Sequence, residues 1–424
     1  MSEILLDSAA LITQSGRTPL IIRFLRQKFI ERLSRISIGT LTVIDPNGTY
    51  LLGSDHSIRA TLHINNLEFY RKVAVGGTIG AADAYIDGLW KSDDLVSLIR
   101  LFIRNRAIMD RMEGGLAWIG NAIFRLTHRK NRNTIDGSKA NILAHYDIGN
   151  EFYQLMLDET MAYSSAVFLS PDSTLTEAST EKFDRLCRKL DLKPQDQVIE
   201  IGTGWGGFAI HAASKYGCKV TTTTISAEQY QYAKAAVERA GLTGQITLLN
   251  QDYRLLTGTF DKLVSIEMIE AVGAEYIGEF VEKCSRLLKP DGLMTIKVIA
   301  SPDQHFDEYR KRADFIQSHI FPGSCLVSIA HLLENVKLKT NLRLLGLEDI
   351  TLHYARTLNE WNLRFQANRS RVSDLGYPDS FQRMWEYYLA YCEAGFRERF
   401  IGNVQLMFAK PENRLDPVTM MQEK

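Results

Sequence analysis

The sequence predicts an α/β fold in which a doubly wound, mostly parallel seven-stranded sheet follows a smaller N-terminal α+β domain. Two observations carry this prediction. In the C-terminal two thirds of the chain, short apolar segments alternate with helical segments, which is the pattern of parallel sheets covered by helices on both faces. Directly after the first of these strands, glycines recur from Gly202 to Gly207. They allow the tight strand-to-helix turn at which such sheets bind ligands.

The composition is that of a globular chain long enough for two domains. Its 424 residues include 50 basic and 50 acidic side chains, so the net charge gives no attraction to nucleic acid, and we expect no such partner. The five cysteines lack CxxC spacing, which indicates reduced thiols and neither a disulfide framework nor a metal site. No apolar run reaches the roughly 18 residues that span a bilayer, and no signal peptide is visible. We therefore expect a cytoplasmic protein, either soluble or associated peripherally with the inner face of the membrane.

Residues 1–124 are predicted to form the N-terminal α+β domain. The segment Pro19 to Ser37 has a helical apolar pattern with mostly basic polar positions. Its apolar positions are Leu20, Phe24, Ile30 and Leu33. Two interpretations stand: this helix lies in an anionic membrane surface, or it packs on the core of its domain. The alternating residues from Ile38 to His63 flank the turn sequence Asp45 to Gly48, which predicts a small sheet.

A basic, polar segment at residues 125–139 is predicted to link this domain to a larger one at residues 140–424. The same segment is also compatible with a contact to lipid headgroups. The strands predicted in the larger domain are Val198–Ile201, Val220–Thr224, Ile246–Asn250, Lys262–Ile266, Leu293–Ile299, Glu348–Tyr354 and Asn403–Ala409. The segment Ser301 to Asn335 follows the fifth strand and is predicted to cover the crevice at the carboxyl ends of the strands.

The glycine-rich segment is compatible with more than one ligand. Gly202, Gly204 and Gly207 satisfy the dinucleotide pattern GxGxxG. However, dinucleotide sites of this kind have an acidic residue that binds the ribose about 20 residues after the glycines, at the end of the second strand. The second strand of this chain does not end on an acidic residue. Glu200 instead lies inside the first strand, where a carboxylate suits the cationic methionine end of S-adenosylmethionine. We therefore favour S-adenosylmethionine over a nicotinamide cofactor.

Nine short segments of the larger domain occur in one order that resembles a known family. They are His145–Asn150, Ala162–Ala166, Glu200–Gly207, Thr224–Gln229, Gln251–Arg254, Ile266–Gly273, Asp314–Gln317, Ile320–Gly323 and His353–Tyr354. Together they resemble the cyclopropane-fatty-acyl-phospholipid synthase family of S-adenosylmethionine-dependent lipid methyltransferases, which is related to the mycolic acid cyclopropane synthases. The resemblance implies that residues 140–424 are a class I, Rossmann-like methyltransferase domain and that the protein is a homodimer.

The resemblance also implies a cofactor site. Its residues are Tyr163, Ser164, Glu200, Gly202, Gly204, Thr224, Ile225, Gln229, Gln251 and Asp252. Asp252 follows the third strand, where its carboxylate is suited to accept a hydrogen bond from the adenine amino group. The aromatic residues near the C-terminus are expected to belong to the core.

In this family a bound bicarbonate is thought to take a proton from the reacting acyl chain. By resemblance, the residues of its pocket are Ser165, Glu270, Lys297, Ile299 and Tyr354. Relatives mostly have cysteine at the position of Ser165, and histidine or glutamine at the position of Lys297. Two interpretations of Lys297 stand: its ammonium pairs with the bound anion, or it occupies the pocket and pairs with Glu270.

The resemblance implies a cyclopropane-fatty-acyl-phospholipid synthase that transfers a methylene from S-adenosylmethionine to the cis double bond of unsaturated phospholipid acyl chains. The transfer passes through a carbocation, and the protein acts at the phospholipid membrane surface. The alternative is a related acyl C-methyltransferase whose product carries a methyl or methylene branch. A methyltransferase for a soluble molecule and a non-catalytic binding protein are further alternatives.

Overall fold

The computed structural model describes residues 19–108, 148–311 and 313–416. The predicted linker at 125–139 and both predicted domain boundaries beside it lie outside these ranges. The five cysteines lie inside them and are free thiols. None of the helices in the described ranges is long and apolar enough to cross a bilayer. The same ranges contain no group of three or more His, Cys, Asp or Glu side chains placed to hold a metal ion.

The N-terminal domain is built on a four-stranded sheet with the order β2-β1-β3-β4. Its strands are β1 (Thr40–Asp45), β2 (Gly48–Leu52), β3 (Arg59–Ile64) and β4 (Trp90–Lys91), and its helices are α1 (Leu20–Leu33), α2 (Glu68–Ile86) and α3 (Leu95–Arg104). Asp45 pairs with Gly48 at the end of an antiparallel hairpin, so the predicted turn is confirmed. Apolar residues of all three helices pack with the sheet in one core.

Helix α1 packs on its domain through a face that includes only part of the predicted stripe, since Leu33 is buried and Ile30 packs against the core. Ile22, Phe29 and Leu33 are buried, whereas Leu20 and Phe24 of the predicted stripe are exposed. A buried polar contact holds the helix in place. The guanidinium of Arg26 donates to both oxygens of Asp45 at 2.6 and 3.0 Å, and Tyr70 donates to the same carboxylate at 2.5 Å. Helix α1 therefore belongs to the domain core from Ile22 onward along one face, whereas Leu20, Ile21 and Phe24 in its first turns are exposed to solvent.

The larger domain is built on an eight-stranded sheet with the order β11-β12-β9-β8-β5-β6-β7, and the short β10 pairs with β9 off this path. The strands are β5 (Gln197–Ile201), β6 (Lys219–Thr224), β7 (Ile246–Asn250), β8 (Phe260–Ile266), β9 (Leu288–Ser301), β10 (Val327–Ser328), β11 (Arg343–Asp349) and β12 (Gly402–Ala409). Strands β5 to β9 are mutually parallel, and β12 lies antiparallel between β9 and β11. The predicted α/β class is confirmed, and the order reverses beside β5, which places the crevice there.

Helices cover the sheet and extend beyond its last strands. They are α4 (Asn150–Gln154), α5 (Leu175–Lys189), α6 (Gly207–Tyr216), α7 (Ala227–Arg239), α8 (Ile277–Leu287), α9 (Asp303–Tyr309), α10 (Ile329–Lys339), α11 (Thr351–Ala367), α12 (Arg369–Asp374) and α13 (Asp379–Arg397). The predicted strand Glu348–Tyr354 is confirmed only at Glu348 and Asp349, because the strand runs from Arg343 to Asp349 and α11 begins at Thr351. The strand ends at Asp349, whose carboxylate accepts from the amide of Thr351 at 2.8 Å, and this contact turns the chain into α11. Tyr354 therefore projects from a helix.

The two domains meet along α13. The side chain of Arg383 donates to the carbonyl of Ile86 at 2.6 Å. Just after α13, Glu398 accepts from Arg100 at 2.6 Å and from Arg104 at 2.7 Å. Helices α2 and α3 are thereby held against α13 on the side of the sheet where the parallel strands end. The N-terminal domain thus supplies one wall of the crevice.

Candidate active site

A cavity of about 900 Å³ lies at the carboxyl ends of the parallel strands. This volume is in the range of ligand sites in proteins. The loops after β5, β6, β7 and β8 line one end, and the segment that follows β9 contributes Tyr309 and Phe321, as expected for a segment that covers the crevice. The other end is lined from the N-terminal domain mainly by apolar residues, together with Thr78 and Arg106; the apolar residues include Phe69, Val73, Trp90, Leu98, Ile99 and Phe102.

The glycine loop opens one side of this cavity. Gly202 has φ +103°, and a Cβ there would lie 3.1 Å from the side chain of Met268. Gly204 has φ +53°, and a Cβ there would meet no atom within 4 Å. Both backbone conformations favour glycine. At Gly204 a side chain would instead occupy cavity space, so glycine leaves room for a ligand to approach the backbone.

Glu200 is a buried carboxyl at the floor of the same end. The hydroxyl of Thr222 donates to it at 2.7 Å, and Thr222 also hydrogen-bonds Thr203 at 2.7 Å. Burial raises the pKa of Glu200 to about 8, although the Thr222 hydrogen bond acts in the opposite direction. A cationic ligand group placed near Glu200 would lower that pKa and stabilise the ionised form. The structure therefore provides a carboxyl suited to a positively charged ligand.

Two polar pairs lie beyond the ends of β6 and β7. The hydroxyl of Thr224 donates to the side-chain oxygen of Gln229 at 2.9 Å. Asp252 accepts from the guanidinium of Arg254 at 2.9 and 2.6 Å. Burial alone would raise the pKa of Asp252, but the hydrogen bonds from Arg254 outweigh it and lower that pKa below its usual value. Asp252 is thus an oriented carboxylate, held by a guanidinium that sequence reasoning did not foresee.

All ten residues predicted for the cofactor line this one cavity. They include Tyr163, whose hydroxyl hydrogen-bonds that of Tyr388 at 2.9 Å, and Ser164, which accepts from Lys182 at 2.8 Å. Lys182 is fully buried, and burial lowers the pKa of its ammonium to about 7. Sequence reasoning missed Lys182, because a lysine inside a helical pattern carries no signal that distinguishes it from a solvated one.

A carboxylate that the sequence analysis did not select, Glu267, is the centre of the polar cluster at the end of β8. Its Oε1 accepts from the amide of Ser165 at 3.2 Å, from Lys297 at 2.8 Å and from Asn403 at 2.8 Å. Its Oε2 accepts from the hydroxyl of Tyr354 at 2.9 Å. Glu267 directly follows β8, and side chains at the carboxyl ends of parallel strands face the crevice. Its position directly after a parallel strand is the feature of the sequence from which Glu267 could have been selected.

Lys297 pairs with a carboxylate, as one of the two interpretations expected, but its partner is Glu267 and not Glu270. The Lys297 side chain is 0% exposed and that of Glu267 is 5% exposed. Burial lowers the pKa of Lys297, while the charge of Glu267 and its hydrogen bond act in the opposite direction. The ammonium also donates to the carbonyl of Ser165 at 2.6 Å. Lys297 and Ser165 lie behind Glu267, outside the cavity lining.

Glu270 lines the cavity and has a different environment. Its Oε1 accepts from the amide of Ile299 at 2.5 Å, whereas its Oε2 is buried and has no hydrogen-bond partner among the described residues. Burial, together with the charge of Glu267, raises the pKa of Glu270 to about 8. Ile299 and Tyr354 also line the cavity. The residues predicted for the bicarbonate pocket therefore lie close together, but they contact two different carboxylates. Ser165, Lys297 and Tyr354 donate to Glu267, whereas Ile299 donates to Glu270.

Comparison with known proteins places this architecture in a family. Residues 133–406 match the family model described as mycolic acid cyclopropane synthetase. The chain is 33% identical to the tuberculostearic acid methyltransferase of Mycobacterium tuberculosis, over 79% of each chain. It is also 33% identical to the cyclopropane-fatty-acyl-phospholipid synthase of Escherichia coli, over 84% of this chain and 89% of that one.

A solved structure shares the fold of the larger domain. It is a mycolic acid cyclopropane synthase complexed with SAH and CTAB, and it is 30% identical to this chain with a TM-score of 0.60. The match covers 64% of this chain and 98% of that one. The family model spans well over half of the sequence. The chain belongs to the mycolic acid cyclopropane synthetase family of S-adenosylmethionine-dependent methyltransferases.

Proposed function

We propose that the protein transfers the methyl group of S-adenosylmethionine to the cis double bond of an unsaturated phospholipid acyl chain and converts the alkene into a cyclopropane. The observation that carries this proposal is the shape of the cavity. One continuous space joins the glycine loop at Gly204 to apolar walls around Phe69 and Leu98 in the N-terminal domain. A polar cofactor site that opens into an apolar space of this kind suits a reaction between a polar donor and a hydrocarbon chain.

The residues at the sheet end of the cavity fit the donor. Bound there, S-adenosylmethionine supplies an electrophilic methyl group on a positively charged sulfur. The backbone at Gly202 and Gly204 permits close approach, and Glu200 gives a carboxyl beneath the cationic methionine end. Asp252, which follows β7 and is oriented by Arg254, would accept a hydrogen bond from the adenine amino group. The remaining residues that would hold the donor are Tyr163, Ser164, Thr224, Ile225, Gln229 and Gln251.

The apolar end fits the acceptor. An alkene is a weak nucleophile, so the enzyme must align it with the methyl group and exclude water. Apolar side chains such as Val73, Ile99 and Phe102 would hold a hydrocarbon chain without offering hydrogen bonds. Near the sheet, the cavity is lined by the aromatic residues Tyr163, Phe321, Tyr354, Tyr388 and Phe396. Aromatic rings stabilise a nearby cation by about 0.5–2 kcal/mol each, which favours a reaction that develops positive charge on the acyl chain.

A second candidate is methyl transfer that leaves a methyl or methylene branch on the same acyl chain. The likeness to the tuberculostearic acid methyltransferase favours it, at the same identity as the likeness to the cyclopropane synthase. A methylene branch has the composition of a cyclopropane, whereas a saturated methyl branch carries two further hydrogens and requires a hydride donor. Mass alone therefore separates only the saturated product.

Expression in a bacterial host without an enzyme of this class tests both candidates. Fatty acids released from the phospholipids should include a species heavier than the unsaturated precursor by CH₂ for a cyclopropane or methylene branch, or by CH₄ for a saturated methyl branch. Proton NMR then distinguishes cyclopropane hydrogens from vinylidene hydrogens. The matched control is Glu270→Gln, which keeps the side-chain volume and should form little product. A lipid profile identical to that of the empty host, with soluble protein present, would contradict the proposal.

We further propose that the first turns of α1 contact the cytoplasmic face of the membrane. Leu20, Ile21 and Phe24 are 82%, 61% and 54% exposed, and Arg23 lies among them. Exposed apolar and basic residues on one helix suit an anionic bilayer surface. Replacing the three apolar residues by serine should reduce co-sedimentation with anionic vesicles, whereas Leu255→Ser, at another exposed leucine, should not. Equal sedimentation of both variants and the wild type would contradict this contact.

The homodimer that the family resemblance implies is also a proposal. Light scattering of the purified protein should give twice the mass of one 48.1 kDa chain. A mass equal to that of a single chain across micromolar concentrations would contradict it.

A further inference from the structure

The donors expected to bind bicarbonate are already engaged by protein carboxylates. Among the residues predicted for its pocket, the amide of Ser165, the ammonium of Lys297 and the hydroxyl of Tyr354 all donate to Glu267. The amide of Ile299 donates to Glu270. A bicarbonate in the cavity would reach neither Ser165 nor Lys297, because Glu267 lies in front of both. It would also meet the negative charge of Glu267 at close range, so these residues do not fit the anion.

The backbone at Glu267 supports a dedicated role for its side chain. Its φ is +49°, in the left-handed region that residues other than glycine seldom adopt. This conformation follows directly on β8 and places the carboxylate among four donors. Strain at a non-glycine residue is retained where the side chain has a function that compensates for it. Glycine would relieve the strain here but would leave the donors without an acceptor.

The two carboxylates have complementary properties. Glu267 is fully engaged at Oε1 and forms a charge-neutral pair with Lys297. Glu270 has a buried Oε2 without a hydrogen-bond partner in the described part of the chain, and it lines the cavity where the acyl chain would react. The lone pairs of that oxygen are free to bind a proton. In this arrangement Glu267 holds a fixed charge and Glu270 exchanges a proton.

We infer that Glu267 takes the place of bicarbonate and that Glu270 accepts the proton directly, so that the chain acts without bicarbonate. This inference rests on the proposed function, because it concerns the proton lost in that reaction. After the methyl group bonds to one alkene carbon, the other carbon is a cation. A C–H bond of the new methyl group breaks, its electron pair closes the ring as the third C–C bond, and the proton bonds to Oε2 of Glu270. The proton later leaves to solvent.

The same residues serve the branched product. A hydride shift along the chain moves the cation to the carbon that bears the methyl group. Loss of a proton from that methyl group to Oε2 of Glu270 then gives the methylene branch. Both neutral products therefore require one acceptor, and neither requires a second anion. The inference is thus independent of which of the two products forms.

The first experiment measures turnover without bicarbonate. Purified full-length protein is assayed with S-adenosylmethionine and vesicles of unsaturated phospholipid in buffer freed of carbon dioxide under argon, and again with added bicarbonate. We expect equal turnover in the two conditions, and a loss of about 10² or more for Glu270→Gln in both. Turnover that collapses without bicarbonate and returns on its addition would overturn the inference.

The second experiment measures binding and needs no activity. Line widths of ¹³C-labelled bicarbonate are recorded against wild-type protein and against Glu267→Gly, Glu267→Gln and Asp191→Gly. Glycine opens the space among the donors, whereas glutamine keeps it filled. Asp191 also has a left-handed φ of +49° and pairs with Lys193 near the surface, so it controls for loss of a strained carboxylate.

We expect saturable broadening only with Glu267→Gly, together with a rise in its thermal midpoint as bicarbonate is added. Saturable broadening with wild-type protein would overturn the inference. If Glu267→Gly does not fold, the wild-type titration still decides the question. If the proposed function is wrong, no lipid product forms with or without bicarbonate. The line-width titration would still show whether the wild-type protein binds bicarbonate, because it does not depend on turnover.

Discussion

The ion pair between Lys297 and Glu267 gives a prediction whose magnitude follows from burial. In Lys297→Met the side chain keeps nearly its volume, so little cavity forms, but the carboxylate of Glu267 loses its cation in an environment where its side chain is 5% exposed. Breaking a buried ion pair costs about 3–5 kcal/mol of unfolding free energy. The donors from Ser165, Asn403 and Tyr354 remain, so we expect about 3 kcal/mol, the lower end of that range.

The double variant Lys297→Met with Glu267→Gln separates charge from packing. It removes both charges and keeps the volume, so it should cost only about 1 kcal/mol and be more stable than either single variant. The matched control is Lys337→Met, whose exposed pair with Glu334 should contribute under about 1 kcal/mol.

Urea unfolding followed by tryptophan fluorescence compares the wild type with the four variants, which are Lys297→Met, Glu267→Gln, the double variant and Lys337→Met. Two results would refute the reasoning. One is a double variant as unstable as the sum of the single ones, and the other is an equal loss in Lys297→Met and Lys337→Met.

Three further predictions concern turnover and the binding of S-adenosylmethionine. Because a proton acceptor must be ionised and the pKa of Glu270 is raised to about 8, turnover should rise as pH increases through about 8 and flatten above it; a profile that is flat from pH 6 to 9 would exclude this role. Gly204→Val should abolish calorimetric binding of S-adenosylmethionine, whereas Gly241→Val, at another left-handed glycine whose Cβ meets open space, should leave binding intact. Leu98→Trp should fill the apolar end of the cavity and lower turnover of long acyl chains without changing donor affinity, and normal turnover would contradict the assignment of that end to the acyl chain.

The carboxylates of this site show how position along a strand and local environment combine. Glu200, Glu267 and Glu270 lie on or just after neighbouring parallel strands, so they converge at one edge of the sheet. Glu200 has a hydroxyl donor, Glu267 has a buried ammonium, and Glu270 has a backbone amide. Different partners give these carboxyls different tasks. We propose that Glu200 contacts the cationic donor, that Glu267 keeps a fixed negative charge and that Glu270 accepts the proton.

Features that depend on local pattern were predictable from the sequence. The order of strands and helices, the hairpin at Asp45 to Gly48 and the glycine loop at Gly202 to Gly207 follow from periodicity and from backbone conformations that few residues adopt. The residues predicted for the cofactor came from the family resemblance, and those that follow parallel strands line one cavity because the ends of such strands meet at one edge of the sheet. The predicted strand Glu348–Tyr354 was wrong after Asp349, because the amide of Thr351 donates to the carboxylate of Asp349 and the chain turns there into α11.

Features that depend on contacts between distant residues were decided only by the tertiary structure. Lys297 and Glu267 lie 30 positions apart, and Asn403 reaches the same carboxylate from 136 positions away. Nothing in the local pattern states which of two nearby glutamates such donors will face, because that choice depends on the backbone twist at Glu267 and on the packing of α11. The same holds for Arg26, whose sequence context suggests a surface cation but whose partner Asp45 is buried. Periodicity reports which face of an element is apolar, whereas the pairing of buried charges is determined when those faces pack.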